Sequence, residues 1–151
     1  MQRELVIESP VGFLTLRSDG ECLTELRFGN RGTDLDSCPV LEETARQLAE
    51  YFVGVRREFS VPLKPEGTEF QWAVWTALRS IPYGDTATYG GIAEKIGSPK
   101  ACRAVGGANN RNPIAIIVPC HRVVGVNGSL TGYAGGLAVK EYLLELERKY
   151  R

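Results

Sequence analysis

The chain has 151 residues, 43% of them apolar and 24% charged, and its 18 basic and 18 acidic side chains give a formal net charge of zero. This suits one ordinary globular domain or two small ones, and no apolar run approaches the roughly 18 residues that span a bilayer. Charge and strand patterning begin at once in Met1-Gln2-Arg3-Glu4-Leu5, unlike a secretory leader, so a cytoplasmic protein with no membrane partner is expected. Four cysteines (Cys22, Cys38, Cys102, Cys120) lack CxxC spacing, and a single histidine speaks against a conventional Cys/His zinc site. Reduced thiols and no metal are expected. Charge is uneven along the chain: residues 1–65 carry 8 basic against 11 acidic side chains, residues 66–151 carry 10 against 7. Over 88–112, Lys95, Lys100, Arg103 and Arg111 face only Glu94, which suits a phosphate backbone or a solvated helix surface.

Residues 4–28 show period-two patterning broken at Ser9-Pro10-Val11-Gly12 and Ser18-Asp19-Gly20-Glu21, which predicts three antiparallel strands. A helix over Val40–Phe52 follows from the spacing of Leu41, Ala45, Leu48 and Phe52, and a further strand is expected over Arg57–Leu63. This first α/β unit, residues 1–65, ends at the linker Leu63-Lys64-Pro65-Glu66-Gly67. Residues 66–151 form the second.

Thr68-Glu69-Phe70-Gln71 is a capping-box pattern that opens a helix with Phe70, Ala73, Val74, Ala77 and Leu78 inward, and Trp72 and Trp75 are expected to pack. Two short helices, Tyr89–Ile96 and Lys100–Asn109, are joined by Gly97-Ser98-Pro99, with Ser98 as the expected cap of the second. The pattern is that of a helix-turn-helix or of a plain helical hairpin. Its second helix presents Arg103, Asn109, Asn110 and a bare Gly106-Gly107.

The apolar run Ile114–Val118 leads into Pro119-Cys120-His121-Arg122, which contains the only histidine. Proline fixes φ and removes an N–H, so the cysteine behind it is held in one orientation. A thiol is only a few per cent thiolate at neutral pH, and an adjacent imidazole activates it directly or through a water. A small buried cysteine used as a hydrophobe is the alternative. Beyond it, Gly125–Gly136 is a five-glycine loop suited to a pocket wall, and Leu137–Tyr150 an amphipathic helix with Val139, Leu143 and Leu146 inward. Glu147 on that helix is either surface charge or a partner for His121.

Taken together, Asn112-Pro113, Pro119-Cys120-His121-Arg122-Val123, Thr88-Tyr89, Arg103-Ala104-Val105-Gly106, Gly132-Tyr133-Ala134-Gly135-Gly136 and Lys140-Glu141 resemble the hallmarks of the O6-alkylguanine-DNA alkyltransferases. The similarity runs over about residues 68–147. It implies a ribonuclease-H-like α/β N-terminal domain followed by a mostly helical, winged-helix-like domain with a helix-turn-helix. It also implies minor-groove binding of double-stranded DNA, flipping of an O6-alkylguanine (or O4-alkylthymine) nucleotide, and irreversible transfer of the alkyl group to Cys120. By the same resemblance His121 and Glu147 form a water-mediated relay, Asn112 braces the site, and Tyr89 aids flipping and contacts the base. Arg103 fills the vacated stack. Ala104, Gly106, Asn109, Lys100 and Arg111 belong to the DNA face, and Val123, Tyr133 and Ala134 line the pocket. Some relatives carry serine where this chain has Ala134, so a hydroxyl contact is missing there. No cofactor is implied, and a monomer, with cooperative binding on DNA left open, is expected.

Each feature also fits a physical need. Dealkylation is an in-line attack by a thiolate on saturated carbon, so a thiol pKa below its usual value of about 8.5 is expected beside such a base. Flipping frees an O6 substituent otherwise held in the stack, and an inserted side chain offsets the unstacking. A non-catalytic sensor of alkylated DNA would lack the acceptor cysteine. A helix-turn-helix regulator leaves Cys120-His121 unexplained, and a Cys-His hydrolase leaves the basic helix unexplained.

Overall fold

The computed structural model describes residues 1–151, which divide into two compact units. The first comprises Met1–Glu66 together with Pro113–Ala115, the second Gly67–Asn112 and Ile116–Arg151.

In the first unit β1 (Arg3–Ser9), β2 (Gly12–Ser18) and β3 (Leu23–Phe28) form an antiparallel sheet in the order β1-β2-β3. Ser9 pairs with Gly12 across a two-residue turn, and Gly12 adopts φ +95°, a left-handed conformation that glycine takes without steric cost. Leu14, Leu16, Leu23 and Leu26 are fully buried and meet α1 (Pro39–Phe52), which contributes Leu41, Leu48 and Tyr51. Each such side chain contributes roughly 1.5–3 kcal/mol by leaving water. Thr15 is buried too, because its hydroxyl donates to the Gly29 carbonyl and accepts from the Arg31 N–H, both at 2.8 Å. Ile114 makes a single parallel bridge with Leu26.

The strand expected over Arg57–Leu63 does not form. Only Leu63 pairs, in an isolated bridge with Leu23, whose N–H reaches the Pro62 carbonyl at 2.8 Å. Pro62 has no N–H to extend a ladder, so the segment runs as irregular chain.

In the second unit α2 (Glu69–Leu78) opens with the capping box: the Gln71 N–H donates to Thr68 Oγ1 at 3.1 Å, and the Thr68 N–H donates to Gln71 Oε1 at 3.0 Å. Trp75 is buried and its indole N–H donates to the Ala108 carbonyl at 2.9 Å. Its ring occupies the space that a Cβ on residue 67 would need, so Gly67 is the residue that lets the ring in. Trp72, expected to pack, is 43% exposed, and Ala73 is exposed as well; the helix buries one stripe through Val74, Trp75, Ala77 and Leu78, and both residues fall outside it.

Next come β4 (Ala87–Thr88), α3 (Tyr89–Lys95) and α4 (Cys102–Asn110). Thr88 caps α3, accepting from the Gly91 N–H at 3.0 Å. Gly97 ends it at φ +78°, and the Ser98 N–H returns to the Ala93 carbonyl at 2.9 Å. That geometry uses Ser98 to close α3, so Ser98 does not cap α4. Ala101 stands at that cap without a side-chain bond, and α4 begins at Cys102, two residues later than expected. Val105 and Ala108 face inward, Ala101 is half-buried, and Ala104 is exposed. β5 (Val123–Val124) pairs in parallel with β4, and α5 (Leu137–Lys149) completes the unit. No helix is long and apolar enough to cross a membrane.

Candidate active site

The chain from Asn112 to Val124 is buried throughout. Ile116 lies in it at φ +70°, a left-handed conformation that costs a β-branched residue about 1–2 kcal/mol and reverses the chain three residues before Pro119. Cys120–Arg122 then form one turn of 3₁₀ helix, with the Cys120 N–H donating to the Val118 carbonyl at 2.8 Å and the Arg122 N–H to the Pro119 carbonyl at 3.0 Å. Asn112 Nδ2 donates to the same Val118 carbonyl at 2.8 Å. The turn therefore fixes the direction of the Cys120 side chain, which is 5% exposed.

Burial pushes the thiol pKa up, against hydrogen bonds from Asn112 and Tyr133 and the charge of Lys140. This corrects the expectation of a depressed thiol: in the free protein Cys120 is a protonated SH group, because the surrounding protein excludes the water that would solvate a thiolate.

α5 supplies two charged groups, Lys140 and Glu147, seven residues apart and hence on one face two turns from each other. Both are fully buried. His121 Nε2 lies 2.7 Å from Glu147 Oε2. Arg122 grips the same carboxylate, Nε to Oε1 at 2.8 Å and Nη2 to Oε2 at 3.0 Å, while its Nη1 donates to the Ile81 carbonyl at 2.8 Å. The Gly84 N–H also donates to Glu147 Oε1, at 3.3 Å. Burial opposes ionisation of Glu147, but His121 and Arg122 overrule it and hold the carboxyl well below the usual carboxylate range. Burial likewise depresses the His121 pKa, with Glu147 opposing.

Glu147 is thus a carboxylate whose counter-ion is Arg122, and His121 is neutral. Its Nε2–H donates to the carboxylate, which places the lone pair on Nδ1. That atom is buried without a hydrogen-bond partner in the protein. An imidazole held in this tautomer, one residue from a thiol, can take up a proton.

Arg122 stands beside the expected Cys120-His121 pair but carries no expected role of its own. Its sequence signal is a guanidinium within a stretch that otherwise packs in a core, since arginine is rarely buried unless paired. Lys140 is the second group without an expected role, although its spacing from Leu143 and Leu144 puts it on the inward face of α5. Its ammonium donates to the Val123 carbonyl at 2.6 Å and lies 3.4 Å from the Thr131 carbonyl, and burial pulls its pKa down. Val123, expected to line the pocket, already uses one carbonyl lone pair for Lys140; a carbonyl has a second.

The residues expected on a nucleic-acid face divide. Lys100, Arg103, Ala104 and Arg111 are exposed, and Gly106 and Tyr89 are half-buried. Asn109 is 1% exposed, which corrects its assignment to that face: it lies on the inward stripe with Val105 and Ala108 and cannot reach a ligand outside. An open groove of about 770 Å³ is lined by Tyr89, Arg103, Gly106, Asn110, Thr131 and Gly132 among others. Cys120 does not line it. The Tyr89 hydroxyl meets Thr131 Oγ1 at 2.5 Å. Of the expected pocket wall, Tyr133 is half-buried and Ala134 exposed.

Residues 69–149 match the family model of the 6-O-methylguanine DNA methyltransferase DNA-binding domain, and residues 3–65 that of the ribonuclease-like domain of the same family. A methylated-DNA–protein-cysteine methyltransferase of Methanosarcina acetivorans is 56% identical over 149 residues, covering 94% of this chain and 96% of that protein. Among solved structures, the O6-methylguanine methyltransferase of Mycobacterium tuberculosis superposes with a TM-score of 0.91 at 48% identity, covering 100% of this chain and 95% of that one. The OGT of the same organism in complex with DNA superposes with a TM-score of 0.89 at 51% identity, covering 99% and 93%. Both halves of the chain match the same family, and the chain belongs to the 6-O-methylguanine DNA methyltransferases.

Proposed function

We propose that this protein repairs alkylated DNA directly, as a methylated-DNA–protein-cysteine methyltransferase that moves the alkyl group of O6-alkylguanine, and of O4-alkylthymine, onto Cys120. The observation that carries this reading is the junction of Cys120 with a neutral His121 whose Nε2 is pinned by Glu147 and whose Nδ1 is left to accept a proton. As the S–C bond forms, the Cys120 proton passes through a water to His121 Nδ1, and the resulting imidazolium faces the Glu147 carboxylate. The O6–C bond breaks, and its electron pair leaves with the guanine, which takes a proton from a donor such as the Tyr89 hydroxyl. The product is a thioether with no ready return, so each molecule acts once.

Residues 66–151 carry both DNA binding and the acceptor, and residues 1–65 form the accompanying domain. Lys100 and Arg111 hold phosphates, Ala104 and Gly106 allow close approach of the backbone, and Arg103 enters the stack vacated by the flipped nucleotide. Asn112, by holding the Val118 carbonyl, keeps the acceptor turn in register. Val123, Tyr133 and Ala134 face the flipped base. The reaction takes place on cytoplasmic DNA, by a monomer without a cofactor. Cys120→Ala, tested by gel shift and by methyl release, should bind duplex DNA containing O6-methylguanine and transfer nothing; transfer by this variant would refute Cys120 as the acceptor.

A further inference from the structure

Thr131 lies in the glycine-rich loop between β5 and α5 and is tied at two points. Its hydroxyl is 2.5 Å from the Tyr89 hydroxyl, and its carbonyl lies 3.4 Å from the buried Lys140 ammonium. Lys140 also holds the Val123 carbonyl at 2.6 Å. One residue therefore links the loop to the start of α3 on one side and to α5 on the other. Around it the loop is irregular from Ser129 to Gly136, and Thr131 is a point at which the loop is held from both sides. Thr131 and Tyr89 both line the open groove beside Arg103 and Gly106.

A phenol carries one hydrogen and accepts on the same oxygen. While Tyr89 and Thr131 face each other, either hydroxyl can be the donor. Once the Tyr89 proton is directed to a ligand in the groove, only the Thr131 hydroxyl can keep the pair together, by donating to the phenol oxygen. A donor on that oxygen polarises the phenol O–H and strengthens the bond it gives, and the anchored main chain of Thr131 keeps this donor in place.

We infer that Thr131 is a positioning residue for alkyl transfer, which aims the Tyr89 hydroxyl at the flipped base and strengthens it as a donor to the leaving guanine. The inference rests on the alkyl-transfer reading above. It predicts a chain of two hydrogen bonds, Thr131 to Tyr89 and Tyr89 to the base, in which the first has no value without the second.

The test is the second-order rate of methyl transfer from duplex DNA containing O6-methylguanine, followed by intact mass, for the wild type, Thr131→Val, Thr131→Ser, Tyr89→Phe and the Tyr89→Phe/Thr131→Val pair. Thr131→Val keeps the shape and removes the hydroxyl, and should slow transfer roughly five- to tenfold, the worth of one such hydrogen bond. Thr131→Ser restores the hydroxyl and should stay within about twofold of wild type. In the Tyr89→Phe background Thr131→Val should change the rate by less than about twofold, because the bond it removes is already gone. Wild-type rates in Thr131→Val would overturn the inference, as would an equal slowing with and without the Tyr89 hydroxyl, which is what a purely structural role of the loop produces. If Thr131→Val does not fold, failure of Thr131→Ser to retain the rate overturns it instead. A wild-type protein that transfers no methyl group at all would refute the alkyl-transfer reading itself, a result distinct from any difference among the variants.

Discussion

Arg122 and His121 share one buried carboxylate, and the sharing sets the protonation state of the relay. With Arg122 bonded to both oxygens of Glu147, the negative charge is already compensated, and burial keeps His121 neutral and able to accept a proton. Arg122→Met should leave Glu147 with His121 as its only cationic partner, which pulls a proton onto the imidazole and raises its pKa. Removing one partner of a buried ion pair should also cost about 3–5 kcal/mol of stability. The chain has a single histidine, so its ring resonances report the titration without overlap. A His121 pKa unchanged in Arg122→Met would show that Arg122 does not tune the relay.

At the scale of elements, α4 carries the contrast between binding DNA and doing chemistry. Arg103 is exposed on α4 and Cys120 is buried on the acceptor turn, so Arg103→Ala should slow repair of O6-methylguanine in duplex DNA by at least about tenfold, the loss of a few kcal/mol that offsets unstacking. Reaction with free O6-benzylguanine should stay near the wild-type rate. Equal losses on both substrates would place Arg103 in the chemistry instead. The elements themselves are largely legible in the sequence: alternating leucines mark β2, and Thr68 with Gln71 marks the start of α2 through hydrogen bonds that local spacing encodes. What stays illegible is decided by tertiary structure. Ser98 is drawn into closing α3, Pro62 removes one ladder donor from the 57–63 segment, and helical periodicity does not separate the exposed Trp72 from the buried Trp75. The site divides in the same way. Cys120 and His121 stand together in the sequence and announce themselves. The partners from α5 lie 20 and 27 residues beyond Cys120; helical spacing puts Lys140 and Glu147 on the inward face with Leu143 and Leu144 and leaves Glu141 and Glu145 outside it, but only the folded site shows which groups those two charges meet. Asn109 reads as part of the DNA face because it shares a helix with Arg103 and Asn110, whereas packing turns it inward with Val105 and Ala108.

For the molecule as a whole, the buried relay makes stability depend on acid. His121 has a folded pKa depressed by burial, so the unfolded chain binds a proton first, and stability falls as pH drops below the ordinary histidine value of about 6.5. Glu147, also depressed in the folded state, contributes stability that is present above the unfolded value of about 4.3 and is lost as pH falls further. The urea midpoint should therefore decline between pH 7 and pH 5, and His121→Gln should flatten that decline; an equally steep decline in the variant would assign it to other groups. The central claim, that Cys120 is the terminal acceptor of an alkyl group from DNA, is tested most directly by intact mass after incubation with duplex DNA carrying one O6-methylguanine, followed by mapping of the modified peptide. A gain of one methyl group, on Cys120, that saturates at one per protein molecule however much DNA is supplied is the expected result. Tight binding with no change in mass, or a methyl group on another residue, would contradict it.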